Sequence, residues 1–188
     1  MAEIEHVANA LCLELANSVN NRSAPTADWL ADPAGYLAWV ESLGLRPGPT
    51  PSQADLKVLV ELREAVFRTF AAVAATAAPD QSDLDAITSV HAAGFAEHGL
   101  VHAEDGYRRN WPPTVSVGSL SAAAASSAVE LLTGTAQERI KSCPSCEWLF
   151  LDISKNGTRR WCSMAMCGSR IKAKRHYDRA RTATVTVP

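Results

Sequence analysis

The chain has 188 residues, 47% of them hydrophobic and 20% charged, which suits an ordinary globular domain with a small appendage. No apolar run approaches the ~20 residues of a membrane-crossing helix, and Met1 to His6 carries two glutamates and no Lys or Arg, unlike a signal peptide, so no membrane partner is expected. The net charge of −2 hides an asymmetry: eleven Lys/Arg face three Asp/Glu between Arg139 and Arg181, whereas the rest of the chain holds seven against seventeen.

The first two-thirds read as mainly helical. Ile4, Val7, Ala8, Leu11 and Leu15 recur at helical spacing and predict a first helix to about Ser18. Asp32-Pro33 supplies an N-cap and a first-turn proline, and Gly44 supplies a stop. Ser52 with Asp55 forms a capping box in its Asp form, opening a long helix to about Ala78. Ser82 is the expected cap of the next helix, with Leu84, Ile87 and Val90 inward. Near Gly99 the pattern changes: short runs flank Glu104-Asp105-Gly106, a hairpin signal that Pro112-Pro113 ends. An Ala/Ser-rich helix follows from about Val117 to Leu132, with Gly134 as its stop.

Four cysteines then dominate. Cys143 and Cys146 read C-x₂-C, and after fifteen residues Cys162 and Cys167 read C-x₄-C. Each short pair can place two sulfurs on one ion, so the spacing predicts a single structural Zn²⁺ with a filled tetrahedral sphere. A redox dithiol at Cys143 and Cys146 would leave the second pair without a role, and thiolate ligation points to a reducing compartment, the cytoplasm. The first pair reads as a metal knuckle at the tip of a β-hairpin, Asn156-Gly157 as a second turn, and Ser169 to Arg181 as a helix whose N-terminus carries Cys167. Knuckle, hairpin and helix make a treble clef, a module small enough to depend on its metal for folding. The fifth cysteine, Cys12, reads as a buried inert thiol.

The expected fold is thus mainly α: a helical domain with one β-hairpin over residues 1–136, a small treble-clef-like Cys₄ finger over 137–182 and a tail over 183–188. In the final helix, Arg170, Lys172, Lys174, Arg175, Arg179 and Arg181 make six cations in thirteen residues, and Arg159 and Arg160 precede Trp161. Such rows neutralise phosphates, so DNA is the predicted partner; a plainer reading is an acidic body docking its own basic tail.

Cys167-Gly168-Ser169-Arg170, Trp161-Cys162-Ser163-Met164 and the basic helix resemble the CGNR zinc finger, with Ser169 where that family has asparagine. Leu11 to Asn20, with Trp39 and Gly44-Leu45, looks like the opening of the helical ABATE domain that usually precedes this finger. The resemblance covers nearly the whole chain and implies a stress-induced bacterial transcription regulator.

On that reading the helical domain is a sensor or an oligomerisation unit. Asn17, Asn21 and Arg22 are candidate contacts for a small-molecule effector, through directed hydrogen bonds to a carboxylate or phosphate; alternatively they cap the first helix and shape the next turn. His91, His98 and His102 are expected at the surface or in the hairpin rather than on a second metal, and Trp29, Trp39 and Trp111 in the core or an interface. No catalytic signature is present, so the protein is not expected to be an enzyme. The competing readings are an enzyme with its pocket in the helical domain and a purely structural finger, or a protein-interaction module. A homodimer fits the small footprint of one finger.

Overall fold

A computed structural model of the chain describes residues 4–173. Its elements are α1 (Leu11–Ala16), α2 (Pro33–Ser42), α3 (Gln53–Ala74), α4 (Gln81–Glu97), β1 (Leu100–Ala103), β2 (Gly106–Arg109), α5 (Val117–Thr133), β3 (Ile140–Ser142) and β4 (Leu149–Leu151). A π-helical turn, Met164–Gly168, follows and runs into helical residues 169–173. The architecture is a mostly helical body with one β-hairpin, then a second hairpin and helix around the four cysteines. Among the described residues no helix is long and apolar enough to cross a membrane.

Local chemistry sets most helix starts. Asp32 accepts a bond from the Gly35 amide at 2.8 Å, and reciprocal capping boxes open α3 (Ser52 with Asp55) and α5 (Ser116 with Ser119). The first helix is the main departure from the sequence expectation. It begins at Leu11 rather than near Ile4, because Asn9 adopts a left-handed backbone (φ 64°) and the Ala8 amide bonds the Glu14 carboxylate at 2.7 Å. α3 stops at Ala74, short of the expected Ala78, with Thr76 left-handed just beyond (φ 57°). α4 starts at Gln81, so Asp80 rather than Ser82 stands at the cap position.

Helix α1 is buried between α3 and α5 and touches β4. The small residues of α5 (Ala122, Ala124, Ala125, Ala128) let its neighbours approach closely: a Cβ built on Gly94 of α4 would collide with that of Ala122. The second hairpin joins this core. Trp148, Leu149 and Phe150 have almost no exposed surface and cluster with Leu13, Leu15, Leu59 and Phe70.

The body also covers the outer edge of β4. The Asn17 side-chain amide bonds both backbone groups of Leu149, donating to its carbonyl at 2.8 Å and accepting from its amide at 3.0 Å. Two residues on, the Leu151 amide donates to the Ala8 carbonyl at 2.8 Å, and Asn9 Nδ2 donates to the Leu151 carbonyl at 2.9 Å. Residues 8, 9 and 17 thus stand in for a third strand, removing an exposed strand edge. The Trp148 indole donates to the Val19 carbonyl, and the Arg22 amide donates to the Cys146 carbonyl.

Candidate metal centre

The first half of the centre is the turn between β3 and β4. The Cys143 amide donates to the Trp148 carbonyl at 2.8 Å, and the Glu147 amide to the Cys143 carbonyl at 2.9 Å. Closing this turn puts Glu147 in the left-handed region (φ 60°), a conformation glycine adopts at least cost. The second half is the π-helical turn. Ser163 caps it by accepting from the Met166 amide at 3.3 Å, and its carbonyl accepts from the amides of Cys167 and Gly168. Gly168 is closely packed: a Cβ there would lie 2.7 Å from Met164 Sδ and 3.3 Å from Trp161 Cδ1, so the methionine side chain would have to shift. Ser169 Oγ donates to the Met164 carbonyl at 3.0 Å and so ties the turn to the helical residues that follow.

These two turns bring the four sulfurs within 4.8 Å of one another, all buried. The Sγ atoms of Cys146, Cys162 and Cys167 form a triangle with 3.6 Å sides. A Zn–S bond of ~2.3 Å implies tetrahedral edges of roughly 3.8 Å, whereas a disulfide would need about 2 Å, and all the cysteines are free. Unaided, the thiols cannot ionise together: the hydrogen bond with Cys143 and burial hold the Cys146 thiol up at about 12. Cys143 and Cys146 likewise push Cys162 far above its ordinary value. A dication bound by four thiolates removes that obstacle, and donor set and spacing both suit zinc.

Asp152, just past β4, has no exposed surface and braces the finger from behind. Burial opposes its charge, but donors from Lys141 Nζ (2.7 Å), Ser154 Oγ (2.6 Å), the Ser154 amide (3.0 Å) and the Arg159 amide (2.8 Å) outweigh it and hold the carboxyl well below the usual range. This residue escapes a reading by metal spacing alone. Its one sequence signal is Asp152-Ile153-Ser154, the spacing of an Asx turn.

The basic candidates divide. Arg160 is exposed, its guanidinium 4.9 Å from the Trp161 ring centroid, and Arg170 and Lys172 are exposed on the helical residues 169–173. Arg159 departs from the expected free phosphate contact: its guanidinium donates to the carbonyls of Trp161 (2.9 Å) and Val7 (3.0 Å) and lies over Phe150. Lys174, Arg175, Arg179 and Arg181 lie outside the described residues. Beside the knuckle, a cleft of about 470 Å³ is lined by Lys141, Ser142, Thr158, Arg159 and Arg160.

The three effector candidates are engaged inside the protein. Asn17 holds Leu149, and the Asn21 side-chain Oδ1 accepts from the Ser23 amide and hydroxyl at 3.2 and 3.3 Å. Arg22 donates from Nη1 to both Glu64 oxygens (2.9 and 2.7 Å) and from Nε to the Ala16 carbonyl at the end of α1, and stacks on Phe67. Glu64 and Asp28 also pair with the buried Arg63, so this polar cluster is an ion network joining α1's exit to α3. His91 bonds Ser126, His98 packs at a tilt against Trp111 and His102 edge-on against Tyr107; among the described residues only the four cysteines form a metal-capable group.

Comparison with known families agrees with this geometry. The ABATE model, described as a putative stress-induced transcription regulator, matches residues 9–135. The chain belongs to the ABATE family. The model of the CGNR zinc finger matches residues 139–180 and takes in all four cysteines. The ABATE region therefore comprises α1 to α5 with the β1–β2 hairpin, and the finger contributes β3, β4 and the second cysteine pair. By description one family is regulatory and the other a zinc finger. No curated protein matches the chain.

Proposed function

We propose that the protein is a zinc-dependent, DNA-binding transcription regulator of the bacterial cytoplasm. The observation that carries this reading is the basic surface gathered around a Cys₄ centre: Arg160, Arg170 and Lys172 are exposed beside it, and a cleft lined by Lys141, Arg159 and Arg160 adjoins the knuckle. One structural Zn²⁺ held by Cys143, Cys146, Cys162 and Cys167 fixes the two turns that present these cations. Arg159 serves by orientation, anchoring the segment before Trp161, while Lys174, Arg175, Arg179 and Arg181 extend the positive stretch in sequence. Phosphate contacts of this kind position a protein on duplex DNA, and arginines reaching guanine edges select sequence. Two chains on adjacent half-sites would double a small footprint.

Selection of bound duplexes from a random library tests the proposal, with zinc-stripped protein as control. Enrichment of a shared sequence by the zinc-loaded protein alone supports it. No enrichment, or equal recovery by the stripped protein, overturns it.

A further inference from the structure

The helical body contains a cavity of about 460 Å³ at the N-terminal end of α1, walled by Leu11, Leu45, Trp111, Val115, Leu120 and Ala123. Its lining is mostly apolar, and Pro112-Pro113 contributes two residues without amide donors. The space exists because α5 presents the methyl group of Ala123 there, while two loops are fastened across it. The Val115 amide donates to the Arg46 carbonyl at 2.8 Å, the Gly48 amide donates to the Val115 carbonyl at 2.9 Å, and Pro47 bridges Val115. Gly48 permits that approach, since a Cβ there would sit 3.1 Å from the Val115 oxygen. Trp111 is held from behind by His98, with ring centroids 4.8 Å apart. The walls are therefore pre-formed by backbone pairing and an indole packed against His98.

One lining residue is charged. Arg46 is exposed, and among the described residues its guanidinium joins none of the salt bridges. An apolar cavity with one arginine in its lining, in no salt bridge among the described residues, matches a molecule with an aromatic or aliphatic body and one anionic end. At the ~30 Å³ that a water occupies, the volume corresponds to on the order of fifteen heavy atoms. We propose that this cavity is the body's ligand site, taking an amphipathic monoanion whose carboxylate pairs with Arg46 and whose apolar body lies between Trp111, Leu120 and Ala123. The site differs from the Asn17–Asn21–Arg22 cluster, which is internally paired. One route from it to the finger runs along α1: Leu11 lines the cavity, and Asn17 at the other end grips β4. Its regulatory purpose rests on the proposed DNA-binding role, whereas ligand binding itself does not.

Calorimetric titration of the zinc-loaded full chain with naphthoate, and with the neutral naphthylmethanol, tests the proposal. Naphthoate should bind one site per chain. Arg46→Ala should weaken naphthoate about tenfold or more and leave naphthylmethanol unchanged. Ala123→Phe should abolish both; if that variant melts early, Leu45→Trp fills the same space from the loop side. Absence of naphthoate binding at millimolar concentration, equal weakening of both probes by Arg46→Ala, or undiminished binding by a cavity-filled variant that retains its fold overturns the site. DNA binding measured on the same samples separates the two ideas. Naphthoate binding without DNA binding removes the regulator reading only, and DNA binding without naphthoate binding removes the cavity only.

Discussion

Replacing Asn17 by alanine tests whether the finger is latched to the helical body. Asn17 is 3% exposed, and its amide makes two hydrogen bonds, to the Leu149 carbonyl and amide. In the β3–β4 register Leu149 lies opposite Ser142, so these two groups face the body. Alanine would remove both bonds and leave a buried donor and a buried acceptor without partners. At ~1–3 kcal/mol for each orphaned group, partly relieved by local relaxation, the expected loss is about 2–4 kcal/mol. For a chain of this size that corresponds to a melting temperature lower by roughly 5–15 °C. Urea unfolding of zinc-loaded protein measures the loss, and zinc transfer to a chromogenic chelator should be faster in the variant. Asn21→Ala is the matched control, because its partners lie in an exposed turn, and it should change stability by no more than about 0.5 kcal/mol. A loss below about 0.5 kcal/mol for Asn17→Ala, with unchanged zinc release, would refute the latch.

Metal analysis should find one zinc per chain, and Cys162→Ser should lower that occupancy sharply. Cobalt(II) in place of zinc should give the intense visible bands of a tetrahedral tetrathiolate, and an octahedral spectrum would contradict the site. Glu147→Gly should raise stability by about 1 kcal/mol, because it relieves a left-handed backbone at φ 60° without removing a buried contact; a destabilised variant in urea would contradict that account. Asp83 accepts two bonds from Arg68, which hold its carboxyl below the ordinary range. Its contribution should therefore be complete above the unfolded value of about 4 and fade as pH falls through the lower folded value. The stability difference between wild type and Asp83→Asn, followed from pH 7 downwards, should shrink only below about pH 4; a difference that vanishes near neutrality would contradict the sign.

Sequence was most legible where structure depends on neighbouring residues. Asp32-Pro33, Ser52 with Asp55, Glu104-Asp105-Gly106 and the paired cysteines each carry their geometry within a few positions, and the structure shows those caps, a hairpin turning at Glu104-Asp105 and that sulfur cluster. Periodicity failed over residues 4–10, because Ile4, Val7 and Ala8 have helical spacing but Ala8 and Asn9 pair with Leu151. A partner more than 140 residues away leaves no local trace. Sequence separations of 132, 42 and 152 residues likewise hid the partners of Asn17, Arg22 and Arg159. Asn17 and Arg22 read either as ligand contacts or as caps of the first helix, and Arg159 as a phosphate contact; Asn17 does stand at the C-cap of α1 and Arg22 does bond the Ala16 carbonyl, while each of the three also satisfies a carbonyl or carboxylate from another part of the chain. The Arg46 cavity was invisible for a related reason, since four separate segments wall it and nothing in the sequence says that they meet.

Affinity for random duplex DNA measured across a salt series tests the central claim most directly, with zinc-loaded and zinc-stripped protein compared. Three exposed cations beside the centre, joined by the basic residues after Ala173, should neutralise several phosphates. The logarithm of the zinc-loaded affinity should then fall linearly with that of salt, with a slope of roughly −3 to −6 that flattens by about 1 in Arg160→Ala. A slope near zero, or the same slope after zinc is stripped, would contradict a metal-organised surface that binds DNA.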